Sequence, residues 1–239
     1  MRRSAELTLA LLLCCAAPAA ASTVRAYGGI EALLLSGAHT DVAGTQRGTA
    51  GGAILQFGVR SPRVWLRVEG IPPVSLPQSP SAFYGQATPQ LSLINGAMRF
   101  AVDRSARLWL GGGMTVINQR TPLPNLSQVV MSRLAGARYE AAYRVPLRAN
   151  HFVEAYFGGA PHLTGSDHYE YSIPHPPVDK QEVAAEEDGM IAFGLAHASS
   201  EWLFGFRAID FSARYVATGA AGDRNSGGGL MIEWRGFIH

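Results

Sequence analysis

Asp210, Ser212 and Arg214 stand at alternate places in "WLFGFRAIDFSARYV", residues 202–216. Read with a period of two, the same face first carries Trp202, Phe204, Phe206 and Ala208. A carboxylate beside a hydroxyl has the makings of a base and a nucleophile. A guanidinium two places further on suits a phosphate or another anion. An ordinary aspartate, with a pKa of about 3.9, is a poor acceptor for a serine proton. The plainer reading is a border: Asp210 and Ser212 end an apolar surface, and Arg214 lies among lipid phosphates. The choice depends on what the two faces of this strand touch.

The stretch belongs to a series of alternating segments punctuated by Gly, Pro, Asn and Asp. Ten strands are predicted near residues 24–37, 48–60, 62–71, 90–102, 106–119, 128–146, 151–162, 188–198, 202–216 and 227–238. Tight connections such as "SP", "DRSA", "PLRAN" and "SSE" alternate with long ones. Among the long ones are "HTDVAGTQRG", "PPVSLPQSPSAFYGQATP" and "LTGSDHYEYSIPHPPVDKQEVAAEE". Short turns at one end, long loops at the other and an even strand count are the pattern of bacterial outer-membrane barrels. Unpaired strand edges cannot sit in hydrocarbon, so the wall must close. The fold expected is all-β: a closed antiparallel up-and-down transmembrane β-barrel of about ten strands.

The faces decide which side meets lipid. The third strand sets Val64, Leu66 and Val68 against Arg67 and Glu69. The last sets Leu230, Ile232 and Trp234 against Glu233 and Arg235. The polar faces carry few charges, of both signs, and many glycines, whereas a water-facing surface carries more charge and more lysine. Lys180 is the one lysine among 20 basic residues. The apolar face is therefore expected outward. Arg67, Glu69, Arg99, Arg138, Glu140, Arg144, Glu154, Arg207 and Glu233 are then expected to crowd a narrow interior, which disfavours a wide aqueous pore. A soluble barrel with its apolar face inward is the competing arrangement.

Residues 1–22 read as a cleaved secretory signal peptide: Arg2 and Arg3, an apolar run from Leu7 to Ala16, then Ala19 and Ala21 in an A-x-A arrangement. That leaves 23–239 as one barrel domain. Cys14 and Cys15 fall inside the leader, so no disulfide frame is expected. The formal charge of +2 gives no sign of nucleic acid.

"FGFRAIDFSARY" resembles the strand of the outer-membrane lipid A 3-O-deacylases, approximately x-R-x-x-H-x-S-N-A. Arg207, Asp210, Ser212 and Ala213 take the places of that family's Arg, His, Ser and Asn. "HFVEAYFGGAPHLTG" and "EEDGMIAFGLAHA" are similar to two earlier strands of the family. The resemblance spans about residues 150–239, the last four strands. It implies hydrolysis of an acyl ester of lipopolysaccharide at the outer wall. Ser212 would attack, Asp210 would assist in place of histidine, and Arg207 or Arg214 would position the strand or a lipid phosphate. Ser226 falls near the place of the family's acid, with Asp223 nearby. The family's barrel has eight strands against the ten counted here. The resemblance further implies membrane lipid or lipopolysaccharide as partner, no cofactor, and the outer membrane as location. The runner-up is a non-catalytic barrel that braces the membrane or binds surface partners. A third class is a soluble periplasmic lipid carrier.

Other chemistry is sparse. His162, Asp167, His168, His175 and Asp179 cluster in the long connection after the seventh strand, and such groups bind divalent ions, but no spacing fixes them together. No metal is expected. His197 and Ser199 repeat the His-x-Ser spacing on a short turn at the opposite rim. Gly111 to Gly113 and Gly227 to Gly229 lack the Lys–Ser/Thr of a phosphate loop and fit barrel bends.

Overall fold

The computed structural model describes residues 24–41, 44–75, 88, 90–148, 150–171, 178–217 and 221–238, with the backbone alone for 33–50, 215 and 221–227. The leader segment 1–22 lies outside the described residues. Among them are ten strands: β1 Arg25–Asp41, β2 Gly44–Arg60, β3 Val64–Ser75, β4 Gln90–Ala101, β5 Leu108–Leu123, β6 Gln128–Pro146, β7 His151–Tyr171, β8 Val178–Ala196, β9 Ser200–Tyr215 and β10 Ala221–Ile238. Each pairs antiparallel with its sequence neighbours, and β1 pairs with β10, so the sheet closes into a barrel.

Short connections at residues 61–63, 102–107 and 197–199, and the one from Pro146 to His151, mark one end. The strands reach further toward the other end than the sequence suggested. β1 and β2 pair up to Asp41↔Gly44, where a loop was expected. β7 runs to Tyr171 and β8 begins at Val178, so most of the long connection after the seventh strand is a paired hairpin. The physical reason is that beyond the hydrocarbon both faces of a strand may be polar. Backbone hydrogen bonding continues there without any alternation to announce it.

The apolar face does point outward. Phe206 is 62% exposed while its neighbour Arg207 is 3%. Phe57, Val68, Ile94, Met114, Ile191, Leu230 and Ile232 are exposed in the same way around the wall. A continuous apolar belt of this kind suits hydrocarbon and not water.

The interior is filled in layers. Toward the short-turn end, Trp65 Nε1 donates to the Tyr27 hydroxyl at 2.7 Å, and Trp65 meets Trp109 edge to face. The Arg60 and Arg99 guanidinium groups lie over Trp65 at 4.7 and 4.8 Å. Ion pairs follow. Arg138 reaches Glu140 at 2.9 Å and Glu186 at 2.5 Å; Arg99 reaches Glu140 at 2.6 Å; Arg235 reaches Glu154 at 2.9 Å. Toward the loop end, Ile71, Leu93, Ile117, Leu134 and Leu163 form a buried apolar layer. Among the described residues the lumen is packed by these layers.

Two of the three consecutive glycines of β5 explain how so many long side chains fit. A Cβ at Gly111 would lie 2.0 Å from the Met98 carbonyl oxygen, and one at Gly113 1.8 Å from that of Gly96. The β5 backbone is thus drawn against β4 where Arg99, Arg138 and Glu140 cross.

Candidate outer-wall site

β9 carries Asp210, Ser212 and Arg214 on its outward face, with buried Phe211 and Ala213 facing in. Asp210 and Ser212 are half-buried and Arg214 is exposed. This is where the belt of Trp202, Phe204 and Phe206 gives way to polar residues. The next strand continues the change, because Asp210 is opposite Glu187 on β8.

A bulge brings in a residue that the motif lacked. On β7, Ala160 is opposite Glu186 and Leu163 opposite Ala184, so Pro161 and His162 together face Ala185. Proline has no N–H for the ladder and is tolerated in a strand at such a bulge. Ala185 is in turn opposite Ser212. His162 and Ser212 therefore lie two strand spacings apart, roughly 10 Å between backbones. Only the Ala185 methyl group stands between them. Pro161, His162, Ala185, Ser212 and Arg214 line one outer-wall groove of about 260 Å³. A hydroxyl, an imidazole and a guanidinium on one groove supply a nucleophile, a proton acceptor and an anion holder.

Arg207 lies elsewhere. It points into the lumen, where its Nη1 donates to Glu31 at 2.8 Å and its Nη2 to Glu69 at 2.9 Å. The structure thus brings Ser212, Asp210 and Arg214 to one surface and sets Arg207 behind it, bracing β9 from inside. His197 and Ser199 are exposed on the turn before β9, at the opposite end of the strand.

The other residues of the expected loop cluster disperse. Asp167 is buried and accepts from the Ser132 hydroxyl. His168 Nδ1 lies 2.6 Å from Asp179 Oδ1 across the β7–β8 hairpin. His175 lies outside the described residues, as do the side chains of Asp223 and Ser226. Among the described residues, no three His, Cys, Asp or Glu side chains are arranged to hold a metal ion. The sequence signal for His162 was Pro161, a proline inside an otherwise alternating run.

No protein-family model and no curated protein matches the chain. Solved structures do. The outer-membrane protease OmpT from Escherichia coli superposes with a TM-score of 0.55 at 9% identity, over 90% of this chain and 97% of that one. The translocator domain of the autotransporter NalP from Neisseria meningitidis gives 0.49 at 9% identity, over 98% and 95%. This chain has the fold of an outer-membrane β-barrel. At such identity the likeness concerns the fold, carries no activity, and does not support membership of the lipid A deacylase family.

Proposed function

We propose that this chain is an outer-membrane barrel that acts from its outer wall on envelope lipid, hydrolysing an ester-linked acyl chain of lipopolysaccharide. The observation that carries the reading is the shared groove of Ser212 and His162 at the edge of the apolar belt. An acyl chain lying along Phe204 and Phe206 would bring its ester to that edge without leaving the membrane. Ser212 Oγ would attack the ester carbonyl while His162, two strands away, takes the hydroxyl proton through a bridging water. The alcohol would leave with that proton, and the acyl–serine would then be hydrolysed by water. Arg214 would hold a lipid phosphate or the developing oxyanion. Asp210, on the same face, would orient the imidazole or the lipid. Arg207 would fix the strand from within. No cofactor enters the chemistry.

Location in the outer membrane, after export through the leader, belongs to the same proposal. Two features support it: the exposed belt, which needs hydrocarbon, and the packed ionic lumen. Membrane fractionation with heat-modifiable gel migration tests it, and a freely soluble mature protein would defeat it. Lipid A mass from cells expressing wild type, Ser212→Ala or His162→Gln tests the enzyme. Loss of one acyl chain is expected in the wild type alone, and identical patterns in all three would remove the hydrolase reading.

A second reading has its own observation. Ala213 faces inward and takes the place of the family's oxyanion-binding Asn. A barrel that binds acyl chains and phosphates here without cleaving them would leave lipid A unaltered, yet lose bound lipid on Arg214→Ala.

A further inference from the structure

The barrel wall is not paired throughout. β2 pairs with β3 from Arg60↔Trp65 to Leu55↔Gly70, and among the described residues the pairing stops there. Both strands continue. β2 stays paired with β1 to Asp41↔Gly44, and β3 with β4 to Ser75↔Gln90. Residues 51–54 and 71–75 therefore face each other across a seam with no ladder between them. The sequence explains the gap. Pro72 and Pro73 offer no N–H, and β3 bulges against β4 between Ile71 and Val74.

The seam opens on a groove of about 800 Å³, within the range of roughly 300–1,000 Å³ usual for small-molecule sites. Its floor is made of small residues, Ala32, Gly51 and Ala53, between the larger Leu230 on one side and Pro72 and Val74 on the other. A Cβ built on Gly51 meets no atom within 4 Å. Leu230 is 61% exposed and belongs to the lipid-facing belt, so the groove opens sideways into the bilayer.

We infer that this seam is a lateral binding site for one acyl chain of lipopolysaccharide. The inference rests on the outer-membrane location proposed above, but not on Ser212, which lies on β9, one strand beyond the β10 edge of the groove and six residues past Phe206, the partner of Leu230. The apolar trough takes the hydrocarbon. The open edges of β2 and β3 then need hydrogen-bonding partners, since an unsatisfied backbone group in hydrocarbon costs several kcal/mol. Amide, ester and hydroxyl groups near the head of the chain can supply them. The seam lies in the loop-end half of the wall, which faces the lipopolysaccharide leaflet.

Native mass spectrometry of protein released from vesicles tests this. One preparation contains phosphatidylglycerol alone and the other phosphatidylglycerol with lipid A. Wild type is expected to retain one lipid A molecule at collision energies that strip phospholipid. Ala53→Trp and the milder Gly51→Leu fill the trough and are expected to lose that adduct. Ala155→Trp, on the outward face of β7 on the far side of the barrel, is expected to keep it, as is Ser212→Ala. Heat-modifiable migration identifies the folded variants. Retention unchanged by both trough fillings overturns the site, and so does a retained phospholipid in place of lipid A. Loss of hydrolysis in Ser212→Ala with retention intact separates this site from the groove of Ser212.

Discussion

Arg207 Nε donates to Asp188 Oδ1 at 2.9 Å, and Arg207 Nη2 donates to Asp188 Oδ2 at 2.5 Å, a fork joining β9 to β8 inside the wall. The same guanidinium reaches Glu31 and Glu69 on β1 and β3. One cation thus gathers three carboxylates from three strands. Arg207→Met removes the cation these carboxylates share, although Glu69 keeps Arg67 and Asp188 keeps Arg138. A loss of roughly 3–5 kcal/mol is expected, because a stranded buried charge costs more than the pair contributes. Urea unfolding in vesicles measures it. Asp188→Asn should cost less, since Arg207 keeps Glu31 and Glu69.

A packed lumen should carry no current. In planar bilayers the wild-type protein is expected to show no stepwise conductance. Regular steps of constant size would contradict the layered interior of Trp65, Arg138 and Leu134.

Outward-facing Phe206 lies halfway between Trp202 and Asp210 on β9. Phe206→Arg is expected to reduce folding into vesicles by about 2–4 kcal/mol, the cost of a cation near mid-depth. Arg214→Phe, at the polar edge, should change stability by less than 1 kcal/mol. Equal effects at both positions would place the belt elsewhere.

The turn between β4 and β5 holds Ala106 at a φ of 52°. Alanine is strained there and glycine is not, so Ala106→Gly should stabilise by about 0.5–1 kcal/mol. In the same turn the Ser105 hydroxyl and the Leu108 and Arg107 N–H groups hold the Asp103 carboxyl below its ordinary pKa. A depressed carboxylate stabilises the fold above its ordinary range and loses that contribution as pH falls through the lowered value. Asp103→Asn should flatten this acid limb, as read by unfolding midpoints between neutral and acidic pH.

Alternation made the barrel and its orientation legible, because hydrocarbon imposes a period of two on every strand that crosses it. Val64 to Glu69 and Leu230 to Arg235 announced both faces outright. The same rule hid the polar extensions of β7 and β8, where no solvent contrast forces a pattern. It also hid the groove that His162 shares with Ser212. That neighbourhood depends on one extra residue in β7, and register across three strands is not written in any one of them. Arg207 shared a motif with Ser212 in sequence, yet the parity of the strand turned it to the other face. The open seam was half legible in Pro72 and Pro73; the groove beside it required the fold.

Arg67 is bonded to Glu69, Arg138 to Glu140 and Arg235 to Glu233, each two places away on its own strand. A strand built this way brings its counter-ion with it. Within each such pair the two charges neutralise one another on a single strand, before the sheet has closed. Assembly then need not wait for a distant strand to neutralise them.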